Sequence, residues 1–141
     1  MVAYSYKARF EPMLINGRKP HTIRADRKRH ARPGEELQHY IGMRTRSCRL
    51  VMRSVCAVVH PIWINLIDNR IGIRIGNDPI SYRIISSAKG LNRFAYSYGF
   101  EDWNDMHAFW RSNHPEIDRF SGVLIGWEPA SIRAADPVIA A

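Results

Sequence analysis

The sequence predicts an α+β protein, a small mixed β-barrel with two main helices, and three observations lead there. Six or seven short segments carry the two-residue alternation or the Val and Ile enrichment of strands. Two segments carry helix start and stop signals, and the last strong apolar run, Phe120 to Trp127, is again a strand. Short strands with two helices, ending on a strand, suggest a barrel whose ends the helices plug.

Val2, Tyr4, Tyr6, Ala8 and Phe10 alternate with polar or small residues and read as the first strand. Glu11-Pro12 opens a short helix, with Met13 and Leu14 on its apolar face and Gly17 as its stop. Thr22-Ile23-Arg24 is a short strand leading into a basic run. Arg32-Pro33-Gly34 is a turn, Glu36 to Ile41 a strand, and Gly42 to Arg46 a polar connection. Arg49 to Val59 and Ile62 to Ile67 read as two strands with a bend at His60-Pro61, and Arg70 to Ile75 as a strand between turn signals. Phe100, Trp103, Met106, Phe109 and Trp110 recur at helical spacing behind Glu101, Asp102 and Asp105, so the main helix lies here, its aromatic stripe facing the core.

With 141 residues, 45% of them hydrophobic, the chain suits one self-sufficient domain, placed at residues 1–128 with a loose tail at 129–141. No apolar run approaches the roughly 20 residues of a membrane-crossing helix. Met1 to Phe10 lacks the apolar centre of an export signal, so a cytoplasmic protein without a membrane partner is expected. Cys48 and Cys56 read as reduced thiols. The six histidines offer no metal-ligand pairing, and no metal or cofactor is expected.

Charge points to the partner. Arg18 to Arg53 hold 11 basic and 3 acidic residues, a net +8, which equals the formal charge of the whole chain. Localised charge of this kind is the footprint of a phosphate-binding face. Arg27, Lys28 and Arg29 sit in an exposed run without apolar period, and Arg44 and Arg46 flank Thr45 on a polar loop. With Arg18 and Arg24 these are the candidate nucleic-acid contacts, since exposed cations bind the phosphate backbone without reading sequence. Tyr4, Tyr6, His21, Tyr40, Tyr98 and Trp127 are the rings available to stack an unpaired base, although each taken alone reads more readily as a core residue.

Within the basic segment, Lys19, Thr22 and Arg24 stand at short spacing. A threonine hydroxyl becomes a nucleophile only when a base takes its proton, and a lysine serves as that base only when burial or nearby cations lower its pKa. The same cations would equally bind phosphate. A metal-independent ribonuclease would instead pair Lys19 with His21 or His30 as acid and base.

Gly17-Arg18-Lys19-x-x-Thr22-Ile23-Arg24, the Pro33-Gly34 turn, Gly42-Met43-Arg44-Thr45, Gly99-Phe100-Glu101-Asp102-Trp103 and the closing Gly126-Trp127 together resemble the ASCH domain, a branch of the PUA-like β-barrels. The likeness covers about residues 4–128 and is greatest to small stand-alone ASCH proteins of bacteria and their phages. It implies a barrel with a cleft and a role with RNA or modified nucleosides. Some relatives remove the acyl group of acetylated cytidine with a threonine, a lysine and a glutamate, and others are described as single-strand ribonucleases. Lys19 and Thr22 match the family lysine and threonine. The acidic position aligns with Tyr98, which is no carboxylate, so deacylation would need Glu101 or Asp102 to reach the site. The expectation is an RNA- or nucleotide-binding module, with single-strand ribonuclease and, behind it, acetylcytidine-type amidohydrolase as the enzymatic alternatives built on Lys19, Thr22 and Tyr98.

Overall fold

The computed structural model describes residues 1–135. Val2, Tyr4 and Tyr6 are buried along β1 (Val2–Tyr6), as the alternation requires. The strand ends there because Phe10 turns inward instead. Ala8–Phe10 forms a 3-10 turn into α1 (Glu11–Ile15), and Phe10 meets Phe100 and Phe109 edge-on. Gly17, at φ +82°, turns the chain out of α1 in a conformation that other side chains resist. Two strands follow, β2 (His21–Ala25) and β3 (Glu36–Ile41), the second leaving the Pro33-Gly34 turn.

The expected bend at His60-Pro61 is absent: β4 (Arg49–Asn65) is one continuous strand. Its pairing explains why proline is tolerated. The ladder with β3 ends at Val55 and the ladder with the next strand begins at Ile62, so Pro61 has a partner on one side only. A hairpin follows, β5 (Arg70–Arg74) with β6 (Tyr82–Ile85). The chain then forms α2 (Ala88–Ser97), a helix for which the sequence pattern supplied no element, and α3 (Trp103–Asn113). The latter starts at Trp103 because Asp102 caps it, its carboxylate accepting from the Asp105 N–H at 2.9 Å. Strand β7 (Arg119–Trp127) closes the expected order. Of the expected loose tail, residues 129–135 instead return to β4, where β8 (Arg133–Ala134) pairs Met52 and Arg53; residues 136–141 lie outside the described residues.

The α+β class holds, with three α-helices and one eight-stranded mixed sheet among the described residues. Strand β4 is long enough to serve twice: its first half pairs β3, which pairs β1 in parallel, and its second half lies between β7 and β5. Beyond β7 comes β2. Strands β1 and β2 are therefore edge strands, as is β6, and β1 and β2 do not pair, so the expected barrel is left unclosed among the described residues. Helices α2 and α3 cover the face that carries Ile62, Ile64, Ile71 and Phe120. No helix among the described residues is long and apolar enough to cross a membrane.

Candidate functional site

The unpaired ends of β1 and β2 make a seam, and side chains do there what a strand ladder does elsewhere. The Ile23 N–H, which a neighbouring strand would have taken, donates to the Tyr98 hydroxyl. Arg24 crosses the seam from β2 to β1, its Nη2 donating to the Ser5 carbonyl at 2.6 Å and its Nε to Thr22 Oγ1 at 3.2 Å. Because these links are side chains, they leave a gap. A cavity of about 280 Å³ opens in it, walled by Ser5, Tyr6, Lys19, Thr22, Arg24 and Tyr98 and on the helix side by Phe10, Phe109 and His114.

Lys19 is 2% exposed and has no carboxylate partner among the described residues. Its Nζ donates to the Tyr98 carbonyl at 2.8 Å and lies 3.5 Å from the centre of the Tyr98 ring. Burial, reinforced by the charge of Arg24, holds its pKa well below the usual lysine value, which favours the neutral amine. Tyr98 and Tyr6 shift the opposite way: burial raises both, against hydrogen bonding to Thr22 and the charge of Arg24, so both remain hydroxyls. Behind Tyr6 sits a fully buried His39, whose ring nitrogens bond Tyr6 Oη at 2.9 Å and Ser54 Oγ at 2.7 Å. Burial and the charges of Arg24 and Lys19 lower its pKa to about 3. His21 is lowered to about 3 by burial and by Lys19, and its ring is stacked on Phe94.

The residues singled out in the sequence divide cleanly. Lys19, Thr22, Arg24 and Tyr98 meet around the one cavity. Arg24 also lines a second pocket of about 310 Å³, together with Arg27, Arg44, Tyr4 and the shared wall residue Ser5. Arg18 turns away: its guanidinium lies 3.8 Å from the centre of the Tyr96 ring and donates to the Phe100 carbonyl. Arg29 is paired with Glu35, whereas Lys28 and Arg46 are exposed and line neither pocket. Of the candidate stacking rings, Tyr4, Tyr6 and Tyr98 reach the pockets; His21, Tyr40 and Trp127 do not. His30 is tied to Tyr4 Oη and the Ala25 carbonyl.

Neither acid that might replace the missing carboxylate reaches the cavity. Glu101 is exposed and Asp102 is spent on the α3 cap, and no Asp or Glu lines the walls. His114, Asn113 and Phe109, from the end of α3, do line it, and sequence reasoning missed them. The helix period placed Phe109 in the core and left His114 beyond the stop, with no signal that this end would lean over the seam. Among the described residues, no cluster of three His, Cys, Asp or Glu side chains is placed to hold a metal. No family model, curated protein or solved structure matches the chain.

Proposed function

We propose that the protein is an RNA- or nucleotide-binding module with an unclosed, PUA-like barrel of the ASCH type. An uncharged ring enters the seam cavity, and the attached phosphate rests on Arg24, Arg27 and Arg44. One observation carries this reading: a cavity walled by Tyr6, Phe10 and Tyr98, free of carboxylates, shares Arg24 and Ser5 with an arginine-lined pocket. Aromatic walls take a base on its faces, and guanidinium forks suit phosphate oxygens. The test is calorimetric titration of a nucleoside and its 5′-monophosphate at rising salt. The nucleotide should bind more tightly than the nucleoside and lose affinity steeply with salt. No binding of either at low salt would sink the proposal.

A second, enzymatic reading rests on Lys19. A buried lysine without a counter-ion, in the cavity that Thr22 also lines, has the protonation bias of a base. As a ribonuclease, Lys19 would take the proton of a 2′-hydroxyl as its oxygen attacks the adjacent phosphorus, and His114 would protonate the departing 5′-oxygen. Deacylation of acetylcytidine ranks behind it, because Tyr98 stands where relatives of the ASCH type carry an acid. Labelled single-stranded RNA and acetylcytidine, incubated with the wild type and with Lys19→Ala, decide between binding and turnover. Cleavage that survives the substitution removes Lys19 from the chemistry.

A further inference from the structure

Helices cover one face of the β2–β7–β4–β5–β6 sheet and leave the other to solvent beyond the seam. The registers define what that open face carries. Arg24, Val123 and Pro61 form one row across β2, β7 and β4. Ile62 pairs Ile73, so the next residues along, Arg74 and its partner Tyr82, extend the row over β5 and β6. Two residues further along β4 comes a second row of Ser121, Trp63, Gly72 and Ile84. A third holds Arg119, Asn65 and Arg70. Arg70, Ser121, Arg119 and Ile84 are exposed, and Trp63, Arg74 and Tyr82 are half-buried.

Three features of this face ask for the same occupant. No carboxylate stands in any of the rows, and among the described residues none of Arg24, Arg70, Arg74 and Arg119 has a salt-bridge partner, whereas Arg9, Arg49 and Arg111 on other surfaces each do. The Nε of Arg74 is buried without any acceptor. Between the arginines lie two rings, Trp63 and Tyr82, their centres 6.3 Å apart. The indole rests directly on the backbone of Gly72, where an added Cβ would fall 2.1 Å from its Cε2, so only glycine at this position lets the ring settle onto the sheet. From β2 to β6 the face spans four interstrand steps, about 19 Å, and it begins at Arg24, which with Ser5 lines both pockets.

We propose that this face is a platform for single-stranded nucleic acid, with bases stacking on Trp63 and Tyr82 and phosphates on Arg70, Arg74 and Arg119. The strand runs on from the seam cavity, so the ligand is a nucleotide within a chain rather than a free one. The proposal rests on the nucleotide reading of the cavity. Duplexes are excluded by their chemistry, because paired bases hide the faces that flat rings would take.

The experiment titrates the full chain, at low salt, with a nucleoside 5′-monophosphate, a single-stranded octanucleotide and a duplex of the same sequence, reading intrinsic fluorescence. Trp103 and Trp127 are buried and Trp110 lines the seam cavity, so quenching by the octanucleotide beyond that given by the mononucleotide reports on Trp63. The octanucleotide should bind at least about tenfold more tightly than the mononucleotide and quench the emission further, and Trp63→Phe should remove that added quench. Arg70→Glu with Arg119→Glu, both at exposed positions, should weaken the octanucleotide about tenfold and leave mononucleotide affinity unchanged. An octanucleotide no tighter than the mononucleotide, or a duplex bound in preference, overturns the platform while leaving the cavity reading intact. If neither the mononucleotide nor the octanucleotide binds, the cavity reading itself fails and takes the platform with it.

Discussion

The unclosed sheet is packed in two different ways. Under α2 and α3 the packing is apolar: Ile64, Ile71, Phe100 and Met106 are fully buried and need no specific partner. At the seam between β1 and β2 it is polar: Lys19 and Thr22, with His39 behind them, are also buried, and each is held by named atoms. Burying polar groups costs free energy that hydrogen bonds only offset, whereas apolar burial stabilises directly. A chain selected for stability alone would have filled the seam as it filled the space under the helices. The seam is where stability is given up, and that separates the site from the scaffold.

The largest effect is expected under the helices. Phe100→Ala removes a ring packed against Phe10 and Phe109 and should cost about 3–5 kcal/mol in urea denaturation. A loss below about 1 kcal/mol would mean that the helix layer is loosely packed and would erase the contrast with the seam.

Acid should reach the seam first. His21 and His39, both lowered to about 3, stay neutral in the folded protein, whereas an unfolded histidine takes up a proton near pH 6.5. Below that pH the unfolded chain binds more protons, so stability falls with pH and goes on falling until the folded rings titrate near 3. Each histidine contributes a slope of up to about 1.4 kcal/mol per pH unit. Thermal melts of the wild type and of His39→Gln between pH 7 and pH 4 check this: the variant, with one such ring fewer, should lose stability less steeply. Parallel slopes would show that His39 titrates as an ordinary histidine and that the seam is wetter than its packing implies.

These two regions were also unequally legible in the sequence. One-sided burial writes itself into the pattern, so β3 could be placed to the residue and the existence of β1 and α3 was plain. The alternation of β1 nevertheless ran on to Phe10, past its end at Tyr6, and the period of α3 began at Phe100, before its cap. Helix α2 was not legible. Its buried residues, Leu91, Phe94 and Ala95, make a narrow stripe among Lys89, Asn92 and Arg93, and Gly90 blurs its start. Pro61 hid the continuity of β4, since only the ladder registers reveal that one of its sides is unpaired there. Lys19, Thr22 and Arg24 are close in the chain, so their meeting was readable. His114 and the open sheet face depend on how distant elements lie against one another, and local patterns carry no trace of that.

The smallest change in stability is expected at the centre of the seam. Lys19→Met exchanges a buried amine, held by one carbonyl and one ring, for an apolar chain of similar length. The loss of one hydrogen bond to the Tyr98 carbonyl is offset by no longer desolvating the amine, so urea midpoints should move by less than about 1 kcal/mol in either direction. Nucleotide affinity should nevertheless fall, because the amine is one of the polar groups that line the cavity. Stability retained with binding lost assigns Lys19 to the ligand. A loss of stability near that of Phe100→Ala would instead make the lysine part of the scaffold, and the division between seam and core would have to be redrawn around it.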